Sequence, residues 1–69
     1  MKTFLLLYTF VVASNGGYIA AEGEMIKAQS YAQCESIAQE REKIMDDELN
    51  VVPDNEKLFT TVYVTCNRR

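Results

Sequence analysis

Ser14-Asn15-Gly16-Gly17 separates the apolar run Phe4 to Ala13 from a second β-compatible run that starts at Tyr18. Asn-Gly supplies the two positive-φ residues of a type I′ turn, so the stretch predicts a β-hairpin centred on it. Pairing outward sets Val12 against Ile19, Phe10 against Ala21, Tyr8 against Gly23 and Leu6 against Met25 on one face. The other face carries Val11 with Ala20, Thr9 with Glu22, Leu7 with Glu24 and Leu5 with Ile26. The first set is apolar on both strands and is assigned to the core, the second to solvent or a partner.

The segment before the turn has a rival reading. One cation, Lys2, then about ten apolar-leaning residues and small residues at Ala13 and Ser14 have the outline of a secretory signal. Tyr8 and Thr9 interrupt the run and Lys2 is its only preceding cation, so a first strand is preferred. The run is half the ~20 apolar residues that a spanning helix needs, and no membrane span is expected.

Past the hairpin, Ser30-Tyr31-Ala32-Gln33 has the form of a capping box, with helix expected from there to about Leu49. At 100° per residue, Tyr31, Cys34, Ile37, Ala38, Ile44, Met45 and Leu49 share one flank. Arg41 falls within that flank, its stem packing and its guanidinium reaching the edge. Glu35, Gln39, Glu42, Lys43, Asp46 and Asp47 lie opposite as a solvated face. Val51 to Lys57 reads as a loop, because Pro53 blocks helix and Asp54-Asn55 favours a turn. Leu58 to Cys66 alternates as a strand, with Leu58, Thr60, Val62, Val64 and Cys66 toward the helix and Phe59, Thr61, Tyr63 and Thr65 away from it. Asn67, Arg68 and Arg69 read as a frayed basic tail.

The first strand is the most apolar and belongs in the middle. The expectation is one α+β domain over residues 1–69, ββαβ in order, with a three-stranded antiparallel sheet of order 2-1-3 and one helix packed on one face. A domain of this size buries only about 60% of its unfolded surface, so a disulfide, a partner or a very apolar core is needed to support it. Apolar residues make up 48% of the chain, enough to argue against disorder.

In this arrangement Cys34 and Cys66 point into the same layer. A disulfide between them would close a span of 32 residues and is a candidate. Two reduced, buried thiols are ranked slightly ahead of it. A catalytic thiol is disfavoured because the chain has no histidine to activate one, and no Cys-x-x-Cys spacing suggests zinc or thioredoxin-type redox work. Glu22 with Glu24 and Asp46 with Asp47 are the carboxylate pairs available for acid–base chemistry, yet three strands and a helix rarely enclose the cleft such chemistry needs. No catalytic residue, cofactor or metal is expected. Ten acidic against seven basic residues, a net charge of -3, leave no basic footprint for phosphates, so nucleic acid is an unfavoured ligand.

What remains is the sheet face away from the helix, expected to present Leu5, Leu7, Val11, Tyr18, Ile26, Phe59 and Tyr63. That much exposed apolar surface usually meets protein. Two copies of the face could also pack on one another as a homodimer, structural or otherwise.

An apolar first strand from Met1, an Asn-Gly turn, Ser30-x-x-x-Cys34-Glu35 opening a helix and a β-rich end closing on Cys66 together resemble small uncharacterised accessory proteins of tailed bacteriophages. Those proteins often carry Cys-Val-Pro-Lys at the end, where this chain has Cys66-Asn67-Arg68-Arg69. The resemblance implies a protein made in the bacterial cytoplasm that binds, and modulates or inhibits, a host protein. The expected function is a non-enzymatic protein-binding module. The alternative is an exported domain, cleaved near Ala13 and stapled by Cys34 and Cys66.

Overall fold

The computed structural model describes residues 1–68; Arg69, expected in the basic tail, lies outside the described residues. The elements run β1 (Lys2–Val12), β2 (Tyr18–Ala28), α1 (Tyr31–Val51), a single 3₁₀ turn (Asp54–Glu56) and β3 (Phe59–Arg68). The sheet is antiparallel throughout, in the order β2-β1-β3, and the fold is the expected α+β ββαβ arrangement. Phe4, Leu6, Ala28, Cys34, Ala38, Val62, Val64 and Cys66 form the core between sheet and helix. Tyr8, Phe10, Ile26, Ile37, Met45 and Leu49 pack around it.

The hairpin is where expected but wider. The Val12 N–H donates to the Gly17 carbonyl and the Gly16 N–H to the Val12 carbonyl, which closes a loop over residues 13–16. Only Gly16 takes a positive φ, at 71°, so this is not the two-residue type I′ turn. Asn15 instead folds its side chain back to accept from the Gly17 N–H at 2.8 Å. The pairing consequently moves by two positions, Phe10 against Ile19 and Tyr8 against Ala21. A shift of two keeps every side chain on its expected face.

A second departure does not. Leu5 pairs with Met25 and Leu7 with Glu22, so Gly23 and Glu24 together face Leu6 in a β-bulge. From that point β2 reverses sides. Ile26 and Ala28 turn to the core and Met25 turns outward, the opposite of the expected placement of Met25 and Ile26. Gly23 is required at the bulge: a Cβ there would sit 2.5 Å from Tyr8 Cε1 and 2.9 Å from the Leu6 carbonyl oxygen. Gly23→Ala is expected to cost about 1–3 kcal/mol, since backbone as well as ring must move. A urea titration checks it, and an unchanged midpoint would refute the close approach.

At the far side of the sheet the register slips again between Val11 and Val12, where Val12 pairs with Phe59 and Val11 with Thr61. Phe59 therefore shares the helix side with Phe10, ring centroids 4.9 Å apart, while Leu58 is left 76% exposed. The expected inward Leu58 and outward Phe59 are thus exchanged. The strand also runs further than expected. Asn67 and Arg68 belong to β3, and the Arg68 guanidinium lies 5.5 Å from the centre of the Tyr31 ring rather than in a frayed tail.

Helix α1 begins as its sequence indicates, with the Gln33 N–H donating to Ser30 Oγ at 3.2 Å. Gln33 Oε1 accepts from the Gln29 N–H at 2.6 Å and not from Ser30, so the reciprocal bond lands one residue earlier. The buried stripe is Cys34 and Ala38, flanked by Ile37, Met45 and Leu49. Ile44, expected on that flank, is exposed, and Glu42, expected on the solvated face, is half-buried against β3. Arg41 does not lie along the core either. Its Nε contacts Glu24 Oε1 at 2.8 Å, with both side chains about half exposed.

Candidate functional site

Cys34 in the first turns of α1 and Cys66 in β3 are both buried, with Cα atoms 6.0 Å apart, a spacing within disulfide reach, and they are bonded. Of the two states weighed for this pair, bonded or reduced, the structure holds the bonded one. The bond, the Phe4–Tyr31 edge contact at 6.1 Å and the Tyr31 hydroxyl donating to the Cys66 carbonyl at 3.1 Å lock one end of the helix onto the sheet. Nearby, the Val64 N–H donates to Glu42 Oε1 at 2.9 Å. Two outward backbone groups on the free edge of β3, the Val64 N–H and the Cys66 carbonyl, are therefore taken by side chains of the helix.

The bulge at Gly23 also dismantles the one carboxylate pair on the sheet. Glu22 opposes Leu7 on the uncovered face, whereas Glu24 reaches the helix and Arg41. Among the described residues no three His, Cys, Asp or Glu stand together as metal ligands, and no helix is long and apolar enough to cross a membrane.

The face of the sheet away from α1 is built by alternation. Phe4, Leu6, Tyr8 and Phe10 of β1 pack toward the helix, so Leu5, Leu7, Thr9 and Val11 point the other way. Residues paired directly across antiparallel strands share a face. Leu5 thus stands between Met25 and Asn67, Leu7 between Glu22 and Thr65, Thr9 between Ala20 and Tyr63, and Val11 between Tyr18 and Thr61. Leu5 is buried within this layer and Leu7 and Val11 are half-buried, forming a floor. Tyr18, Met25 and Tyr63 rise around it, exposed by 72%, 55% and 49%.

Of the seven residues expected on this surface, Leu5, Leu7, Val11, Tyr18 and Tyr63 are brought together, and Ile26 and Phe59 are not: the bulge at Gly23 turns Ile26 to the core, and the slip at Val11/Val12 puts Phe59 on the helix side against Phe10. Met25 is the member that the strict hairpin register missed. The available signal was Glu22-Gly23-Glu24, a glycine inside a strand pattern, which marks bulges. The face combines the floor of Leu5, Leu7 and Val11 and the trio Tyr18, Met25 and Tyr63 with threonine hydroxyls at Thr9, Thr61 and Thr65 and the carboxylate of Glu22. No known protein family, curated protein or solved structure matches this chain.

Proposed function

We propose that the chain is a non-enzymatic protein-binding module whose uncovered sheet face is the contact surface. The observation that supports this reading is the trio Tyr18, Met25 and Tyr63, largely exposed over the apolar floor of Leu5, Leu7 and Val11. Tyrosine and methionine suit such a surface, the first as a rigid ring with a polar tip and the second as an adaptable one. The floor is buried at Leu5 and half-buried at Leu7 and Val11, so a partner would cover the remainder together with the rim. Following the resemblance to phage accessory proteins, the partner is a host protein of the bacterial cytoplasm, which the bound module modulates or inhibits.

The test combines a native-host pull-down with Tyr18→Ser and Tyr63→Ser together. Both side chains are exposed, so the double variant should fold with little change in thermal midpoint while losing most captured partner. Undiminished capture by a folded double variant would refute the sheet-face reading.

A second reading is favoured by one observation, the Cys34–Cys66 bond, since disulfides persist in oxidising compartments. It makes the chain an exported, cross-linked domain. Cleavage near Ala13 would, however, remove β1, the middle strand of the sheet. Intact mass of the native protein under alkylating conditions separates the readings. A chain retaining β1 favours the cytoplasmic module, its alkylation reporting whether the bond forms in that compartment, and a chain beginning near Ser14 with no free thiol favours export.

A further inference from the structure

The two edges of the sheet are treated differently. On β3 the outward N–H of Val64 and the outward carbonyl of Cys66 are taken by Glu42 and Tyr31. On β2 the direction of each backbone group follows from the turn: Val12 bonds to Gly17, so Gly17, Ile19 and Ala21 point inward to β1, and Tyr18, Ala20 and Glu22 point outward. Among the described residues, no side chain or loop bonds the N–H or carbonyl of those three. The stretch has neither proline nor lysine to guard it, two of its residues are alanine, and Tyr18 and Ile19 are exposed by 72% and 50%. Beyond it, the bulge at Gly23 and Glu24 ends the pairable edge.

We propose that β2 pairs through Tyr18–Glu22 with the same stretch of a second copy, antiparallel about Ala20, to make a continuous six-stranded sheet. The stretch is complementary to itself in one register. A twofold axis at Ala20 sets Tyr18 against Glu22 of the other copy, twice, and Ala20 against Ala20, so all three outward residues meet outward residues. Each such pair exchanges two backbone hydrogen bonds, about six over three pairs. Moving the axis to Glu22 would place like charges face to face, and moving it to Tyr18 would set Ala20 against the turn residue Gly16. The small side chain at the axis lets the strands approach, and Ile19 is covered by the facing Ala21. The paired stretch is short, so the dimer is weak and concentration-dependent. This inference does not rest on the sheet-face reading: Tyr18 borders both the edge and the face, but the pairing is carried by the backbone groups of β2 and the measurement below requires no partner.

The experiment is sedimentation velocity of the intact, oxidised chain over a concentration series, repeated with Ala20→Pro, Tyr18→Lys and Tyr18→Glu. Wild type should rise from the monomer to the dimer mass. Proline removes an N–H that no bond inside the monomer uses, so Ala20→Pro should remain monomeric. Tyr18→Lys, facing Glu22 of the other copy, should tighten the dimer, and Tyr18→Glu should abolish it. Because the two Tyr18 variants change one exposed site with opposite charge, they retain their force even if the proline variant is poorly folded. A wild-type chain that stays monomeric, a folded Ala20→Pro that still dimerises, or equal behaviour of Tyr18→Lys and Tyr18→Glu would each overturn the proposal.

Discussion

Reduction of the Cys34–Cys66 bond is expected to lower the stability of the chain by about 3–4 kcal/mol in the chain-entropy account, since the bond closes a span of 32 residues. For a chain of this size that corresponds to a fall in thermal midpoint on the order of 20 °C. The effect is large because the protein has little else in reserve: its core is a single layer between three strands and one helix. Reduction tests the cross-link better than substitution does. Both sulfurs are buried, so serine would add hydroxyls in need of partners and alanine would leave space. Thiols released by a reductant occupy nearly the same volume and change little besides connectivity. The check is a pair of calorimetric or circular-dichroism melts with and without reductant, with complete reduction verified by mass. Midpoints agreeing within a few degrees would show that the bond is stabilising nothing that packing does not already hold.

Leu6→Ala should be of similar size, about 3–4 kcal/mol, within the range for deleting a fully buried leucine. Leu6 sits on the central strand, paired with Cys66 in β3 and opposite the bulge of β2, with the helix above. A cavity there has neighbours on every side and cannot collapse readily. Leu7, one residue along, points to the uncovered face and is only half-buried, so Leu7→Ala should cost roughly 1 kcal/mol or less. Urea titrations should show the Leu6 midpoint falling far more than that of Leu7, with slopes unchanged. Equal losses would mean that the two faces of β1 are equally covered, contrary to the arrangement described here.

The run Leu5-Leu6-Leu7 explains why part of this fold is legible in the chain and part is not. The turn residues, the Ser30 cap and the alternation of Val62, Val64 and Cys66 each depend on neighbours a few positions away, and they locate the strands, the helix and the sheet order. Assignment of Phe4, Leu6, Tyr8 and Phe10 to the core side also follows, because a turn misread by two positions leaves the faces unchanged. The bulge at Gly23 and the slip at Val11/Val12 are different. Each is a one-residue event whose alternatives, Met25 or Ile26 and Leu58 or Phe59, are apolar pairs of similar size. Hydropathy cannot rank them. What decides is contact across the sheet: the Tyr8 ring needing the space over Gly23, and Phe59 meeting Phe10. The rotation of α1 escapes notice for a related reason. Glu42 earns its half-buried place through a hydrogen bond to Val64, a residue 22 positions away, which no helical periodicity encodes.

The pairing of Phe4 with Arg68 joins two residues near opposite ends of the described chain. The β1–β2 hairpin can close from local sequence, but the β1–β3 ladder must wait until nearly all of the chain has been made and brought back on itself. Cys66 reaches Cys34 only when that last strand docks. The sulfur atoms therefore keep a chemical record of time: a bonded pair marks a molecule in which the final strand has arrived, and a free pair marks one still waiting for it or since returned to a reducing environment.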